Sequence, residues 1–277
     1  MEGLRSALVT TVVCGLLAVS CTFGPTAITA PPAAVVASSP TAQSTGTPSP
    51  TLGAPLTWIT PSPPLTCTEG PASGSLGYQS GARSYFGYLF RPAGSGPFPA
   101  MLVLHSGLGL TDHERAYGRW LADQGYIALA PDYFAPVGAT SQTLDKMPYD
   151  IVREDLARAV DCLRSLAYVD RSRVGAVGFS LGGYFALALG TREDVHAVIS
   201  YSTGNGPYDP NERNPMATLA TQMRAPVQLL EGGAEIGAAH VRALQDSLMA
   251  AGKSSQIVSY PGVGQIFDFV TIGGAPQ

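Results

Sequence analysis

Val174-Gly175-Ala176-Val177-Gly178-Phe179-Ser180-Leu181-Gly182-Gly183 is an apolar strand that runs into a Gly-x-Ser-x-Gly turn, and the apolar Tyr184 to Leu189 segment after it reads as a helix. A strand turning this abruptly into a helix leaves no room for side chains on the flanks of the turn, so positions 178 and 182 must be small. The residue at the apex is held in a strained backbone conformation, with its side chain exposed at a helix N-terminus. Ser180 is that residue. Taken alone the five-residue pattern is common in loops; the strand before it and the helix after it make it a nucleophile elbow.

Outward from the elbow, short apolar runs alternate with amphipathic stretches. Tyr85 to Phe90, Ala100 to His105, Tyr126 to Ala130, Arg173 to Phe179, His196 to Tyr201, Val227 to Leu230 and Gln256 to Tyr260 read as strands. Helices are expected over Asp112 to Gln124, with Thr111 as N-cap and a stop at Gly125, over Asp150 to Ala167, and over Ala239 to Ala250. Continuous apolar strands alternating with helices predict an α/β fold, a mostly parallel central sheet with helices on both faces. In such sheets the site gathers at the carboxyl ends of the strands. The loops ending there begin at His105, Pro131, Ser180, Glu231 and Pro261.

The ends of the chain are of a different kind. Arg5 precedes an apolar stretch from Ala7 to Val19, the length of a signal-peptide core and too short to span a membrane, and it closes on Leu17-Ala18-Val19-Ser20-Cys21. That closing resembles a lipobox with Cys21 as the lipidated residue; an ordinary secretory signal is the other reading. Residues 1–21 are therefore expected to be an export segment and 22–64, rich in Pro, Thr and Ser with almost no charge, a flexible tether that cannot bury enough surface to offset chain entropy. The folded domain would run from 65 to 277. Its formal charge of −4 and 16 scattered basic residues in the whole chain do not suggest nucleic acid. Cys67 and Cys162 either pair in an oxidising compartment or leave Cys162 as a buried apolar thiol on its helix. The cysteine spacing gives no metal site.

From about Gly81 to Val270 the chain resembles the dienelactone hydrolase branch of the α/β-hydrolases. The resemblance is carried by Leu121 to Asp132, by Gly178 to Gly183, by Pro226 to Glu235 and by Tyr260-Pro261-Gly262-Val263-Gly264-Gln265-Ile266-Phe267. It implies hydrolysis of a small-molecule ester or lactone through an acyl-enzyme, without a cofactor. It puts Ser180 at the nucleophile, the backbone N–H groups of Leu181 and Gly107 at the oxyanion hole, and Glu235 at the triad acid. Glu231 lies closer to the strand, before the double glycine, and is the less favoured acid. Ser106 stands where the dienelactone enzymes carry a Glu, which argues for a general esterase.

The base position departs from the family. Where the family has His after Tyr-Pro-Gly-x-Gly, this chain has Gln265, and an amide cannot accept and return a proton near neutral pH. Of the four histidines, His196 reads as structural and His113 as solvated. His240 lies near the acid loop, and His105 either orders the oxyanion loop or reaches Ser180. The chain also stops at Gln277, before the final helix this fold ordinarily adds, so the C-terminal helix is expected to be missing. Tyr133, Phe134, Tyr149 and Tyr201 read as core or as a pocket lining, and the Gly204 to Pro215 loop as part of a lid. Three readings remain open: a serine hydrolase impaired by the missing His, a ligand-binding protein at the cell surface that has lost its chemistry, or a truncated, weakly functional copy; the chain is expected to be exported, anchored through Cys21 or else secreted.

Overall fold

In the computed structural model the described residues are 56–58, 67–69, 74–203, 215–232, 238–260 and 264. Nine strands form one sheet: β1 (Cys67–Glu69), β2 (Ser75–Ser80), β3 (Arg83–Phe90), β4 (Phe98–Leu104), β5 (Ile127–Pro131), β6 (Val169–Phe179), β7 (Ala197–Tyr201), β8 (Val227–Gly232) and β9 (Ser255–Tyr260). Their order is β1-β2-β3-β5-β4-β6-β7-β8-β9. The β1 to β3 meander and the β3–β5 pair are antiparallel, and every pair from β5 through β4 to β9 is parallel. This is the mostly parallel sheet that the alternation of apolar strands and helices predicts.

Parallel strands covered on both faces need apolar residues at every position. In β4, Pro99 is followed by Ala100-Met101-Leu102-Val103-Leu104, all wholly buried, and β5 and β7 are buried from end to end. β1 and β2 are absent from the sequence-level reading. β2 alternates buried Leu76 and Tyr78 with Gly77 and Gln79, and β1 is only three residues long, so neither leaves a sustained apolar run.

The described helices are α1 (Asp112–Asp123), α2 (Tyr149–Ser165), α3 (Leu181–Leu189), α4 (Pro215–Gln222) and α5 (Ala238–Ala250). α2 to α5 pack on one face, where Leu156, Phe185, Leu219 and Leu244 join a single core with Leu102 and Leu229. On the other face α1 sets Tyr117 and Leu121 against Val103, Val177 and Phe179. α1 begins at the expected cap: Thr111 accepts from the His113 amide while Glu114 reaches back to the Thr111 amide, a capping box. α4 lies in what sequence reading treats as a loop and its surroundings; its eight residues are too few for a clear period.

Cys67 and Cys162 are joined in a disulfide, with Cα atoms 5.7 Å apart across 95 residues of sequence, tying the edge strand β1 to α2. Two residues of the stretch read as tether, Leu56 and Trp58, lie against the domain. Trp58 donates from Nε1 to Thr191 Oγ1 at 3.1 Å with the Arg153 and Arg192 guanidiniums over its ring, and the Leu56 amide donates to Gln222 Oε1 at 3.0 Å. The export segment and the end of the chain, including the position of the expected missing helix, lie outside the described residues.

Candidate active site

Ser180 stands between β6 and α3 with φ +52° and ψ −108°, a strained conformation for a residue with a side chain. Its amide donates to the Tyr201 carbonyl at 2.8 Å, which fixes the apex to the neighbouring strand. Both flanking glycines are required by contact. A Cβ at Gly178 would collide with the backbone of Gly182, and one at Gly182 with the carbonyls of Leu104 and His105. The end of β4 therefore abuts the first turn of α3, and the loop after His105 starts beside Ser180. Leu181 heads α3, where the first amides have no intrahelical acceptor, so its N–H is available to an oxyanion.

The second amide expected in the oxyanion hole is aimed by a buried imidazole. His105 is fully buried, stacked on Tyr133 with ring centroids 3.7 Å apart, and edge-on to Phe134. Its Nδ1 lies 2.8 Å from the Ser106 carbonyl, which also accepts from the Gly109 amide at 3.1 Å. A carbonyl only accepts, so Nδ1 carries the hydrogen. Burial, outweighing the Ser106 hydrogen bond and the charges of Glu114 and Asp132, pushes the ring down to about 4, and it is neutral at physiological pH. Because the Ser106–Gly107 peptide is planar, anchoring the carbonyl on the buried ring turns the Gly107 N–H to the opposite side. Tyr133 completes the support by donating to the His105 carbonyl at 2.5 Å. His105 thus orders the loop, and its hydrogen bond is to that loop rather than to Ser180.

His113 does not meet the expectation of a solvated side chain. The capping box turns the first turn of α1 inward, and His113 is buried edge-on to Phe179, the residue before Ser180, with Nδ1 3.3 Å from Glu114 Oε1. Burial alone would raise the Glu114 carboxyl, but hydrogen bonds from His113 and from the Thr111 side chain and backbone hold it below its ordinary value. His196 packs at the start of β7 with Nδ1 against the Val174 backbone, as a structural residue would. The four aromatics divide between the faces: Tyr133, Phe134 and Tyr149 are core on the α2 to α5 side, and Tyr201 is core against Tyr117 and Phe179 on the α1 side.

Two further polar groups share a row with Ser180. Phe179 pairs with Tyr201 and Tyr201 with Leu230, so Ser180, Ser202 and Glu231 follow one another across three adjacent strands. Ser202 repeats the elbow geometry, with φ +47° and its amide donating to the Leu230 carbonyl at 2.8 Å. Glu231, 1% exposed in its side chain, accepts from Arg242 of α5 at 2.9 Å. Its Oε2 and the Ser202 hydroxyl are buried without a hydrogen-bond partner among the described residues. Glu235 and Gln265, the expected acid and the residue at the base position, lie outside the described residues, as does the side chain of His240. Among the described residues no group of three or more His, Cys, Asp or Glu is arranged to hold a metal ion.

The chain is similar to known proteins. The dienelactone hydrolase family matches residues 86–269. The chain belongs to the dienelactone hydrolase family. A protein of Methylorubrum extorquens, provisionally assigned as a carboxymethylenebutenolidase, is 32% identical over 200 residues, covering 65% of this chain and 67% of that protein. A protein of Escherichia coli strain K12 with the same provisional assignment is 29% identical over 196 residues, covering 65% and 72%. Among solved structures, a dienelactone hydrolase-like promiscuous phosphotriesterase from metagenomic libraries has a TM-score of 0.60 at 23% identity, covering 73% of this chain and 84% of that one. Est1E from Butyrivibrio proteoclasticus has a TM-score of 0.57 at 16% identity, covering 72% and 95%. At these identities the two structures speak to the fold alone.

Within this dienelactone hydrolase fold, sequence reading misses Ser202 and the support given by Tyr133. Nothing marks Ser202, since serine is not a residue that ordinarily signals a positive φ. Tyr133 is legible only as an aromatic at a strand end, and its bond to His105 spans two strands. The loop from Asp132 to Pro148 is also informative: its turn over Leu144–Lys146 brings Leu144 against Gly107.

Proposed function

We propose that this protein is a serine hydrolase acting on carboxylic ester or lactone bonds through an acyl-enzyme on Ser180. The observation that carries the proposal is the left-handed Ser180 at the β6–α3 junction, beside a loop whose Gly107 amide is turned outward by a neutral His105. Ser180 attacks the acyl carbon, the amides of Leu181 and Gly107 receive the charge that develops on the carbonyl oxygen, and Glu235 is the acid. Gln265 leaves the base vacant. Losing a triad member costs several orders of magnitude and leaves about 10³- to 10⁴-fold over water from the oxyanion hole and binding. The reading is therefore of a slow enzyme.

The substitution at 265 favours one alternative, a binding protein that holds an ester-like ligand without turning it over. Export, with an anchor on Cys21, belongs to both readings; the Cys67–Cys162 disulfide supports an oxidising compartment. The test is hydrolysis of a short-chain nitrophenyl ester by the natural protein, Ser180→Ala and Gln265→His. Turnover lost in Ser180→Ala supports the hydrolase. Turnover seen only with Gln265→His supports the binding protein.

A further inference from the structure

We propose that the site accepts neutral esters with an apolar acyl group, that Leu144 limits the length of that group, and that carboxylate-bearing lactones are disfavoured; this rests on the acyl-enzyme reading above. Two described segments flank the nucleophile, the loop of residues 105–111 and the connection of residues 132–148. The first carries Leu108, 65% exposed, next to Gly107. The second brings Leu144 so close that a Cβ added at Gly107 would lie 3.0 Å from its Cδ1, while Phe134 lies 3.8 Å from the corresponding position at Gly109. A solvent-facing leucine on this loop, with the half-buried Leu144 seated against Gly107 and backed by the buried Phe134, offers an acyl chain apolar contact beside the amide that would hold its carbonyl oxygen.

The charge of these segments points the same way. They hold Asp132, Asp145 and Lys146, two carboxylates against one ammonium, and no arginine. The Asp132 carboxylate is fixed, accepting from the amides of Phe134 and Ala135 at 3.0 and 3.1 Å. A second carboxylate on a substrate lying against these two segments would meet their net negative charge and no guanidinium of theirs, the described Arg242 being engaged by Glu231, and exclusion by like charge is an effective basis for specificity. The relatives assigned as carboxymethylenebutenolidases are named for a carboxylate-bearing lactone, so on this proposal the chain has diverged from that substrate.

The test compares kcat/KM for nitrophenyl acetate, butanoate, hexanoate and octanoate with that for the nitrophenyl hemiester of succinate, on the natural protein and on Gln265→His. We expect kcat/KM to rise about fourfold per methylene up to a limit and then fall. The hemisuccinate should react at least about tenfold more slowly than the butanoate, with a difference that shrinks in high salt. Leu144→Ala should move the optimum to longer chains, and Leu144→Phe to shorter ones. Both variants are checked for an unchanged melting temperature, and Leu144→Val replaces Leu144→Ala if the latter is unstable. A flat chain-length profile, an optimum unmoved by Leu144, or a preference for hemisuccinate overturns this proposal while leaving the hydrolase intact. No Ser180-dependent turnover of any ester by either protein overturns the acyl-enzyme reading, and this proposal with it.

Discussion

His105 makes the protein sensitive to acid at one identifiable point, and the size of the effect follows from its burial. The ring is held neutral at about 4, against an unfolded value near 6.5, because burial outweighs the Ser106 hydrogen bond and the nearby carboxylates. The depressed value fixes the sign. Above pH 6.5 the ring is neutral in both states and its contribution to stability is complete; as pH falls through the window from 6.5 to 4, the unfolded chain takes up a proton that the folded chain refuses, and stability is lost. At pH 4 the loss from this group alone is about 3 kcal/mol. The perturbation is His105→Asn, which keeps an N–H able to reach the Ser106 carbonyl but does not titrate. Urea unfolding of both proteins at pH 7 and pH 4 isolates the effect, because the other titrating groups cancel in the difference. We expect the natural protein to lose about 3 kcal/mol more than the variant over this range. A difference under about 1 kcal/mol would refute the argument that the ring is buried and neutral. In the Gln265→His background, His105→Phe keeps the stack on Tyr133 but cannot anchor the Ser106 carbonyl. A fall in kcat of about 10²-fold is expected there, as for loss of an oxyanion donor.

Other outcomes follow from contacts elsewhere in the fold and from the flank of the elbow. Asp155 on α2 is a buried carboxylate that accepts from Ser80, Arg83 and Tyr85; Asp155→Ala strands these donors and should cost about 3 to 5 kcal/mol in urea unfolding, with Asp155→Asn recovering part of it. Opening the disulfide with Cys67→Ser and Cys162→Ser together should lower stability by about 2 to 5 kcal/mol, read as a shift in denaturation midpoint, because the closed loop is long. Gly182→Ala drives a methyl into the Leu104 and His105 carbonyls and should cost about 1 to 3 kcal/mol or more; an unchanged melting temperature would contradict the close approach of β4 and α3.

What could be read from the chain depended on the range of the forces involved. The elbow was legible because its requirements are local: two small residues, an apolar strand before and an apolar helix after. The Thr111 cap and the strands β4, β5, β7 and β8 were legible for the same reason, since capping and continuous burial leave their mark within a few residues. The edge strand β1 and its neighbour β2 were not, because half-buried antiparallel strands carry only a short alternating signal. The histidines show where sequence reasoning stops. His113 begins a polar-looking helix turn, and only the packing of α1 on the sheet buries it against Phe179.

By itself the sequence determined the α/β alternation and the position and backbone strain of Ser180 at the elbow, since residue type and short spacing settle both. The tertiary structure alone decided which groups meet. It placed His105 under the Ser106 carbonyl with Tyr133 behind it, aligned Ser202 and Glu231 with Ser180 across three strands, brought Leu144 onto Gly107, and closed the bond between Cys67 and Cys162. The physical reason is that strand order and register bring residues far apart in sequence to within hydrogen-bond or van der Waals distance, and no local pattern records that.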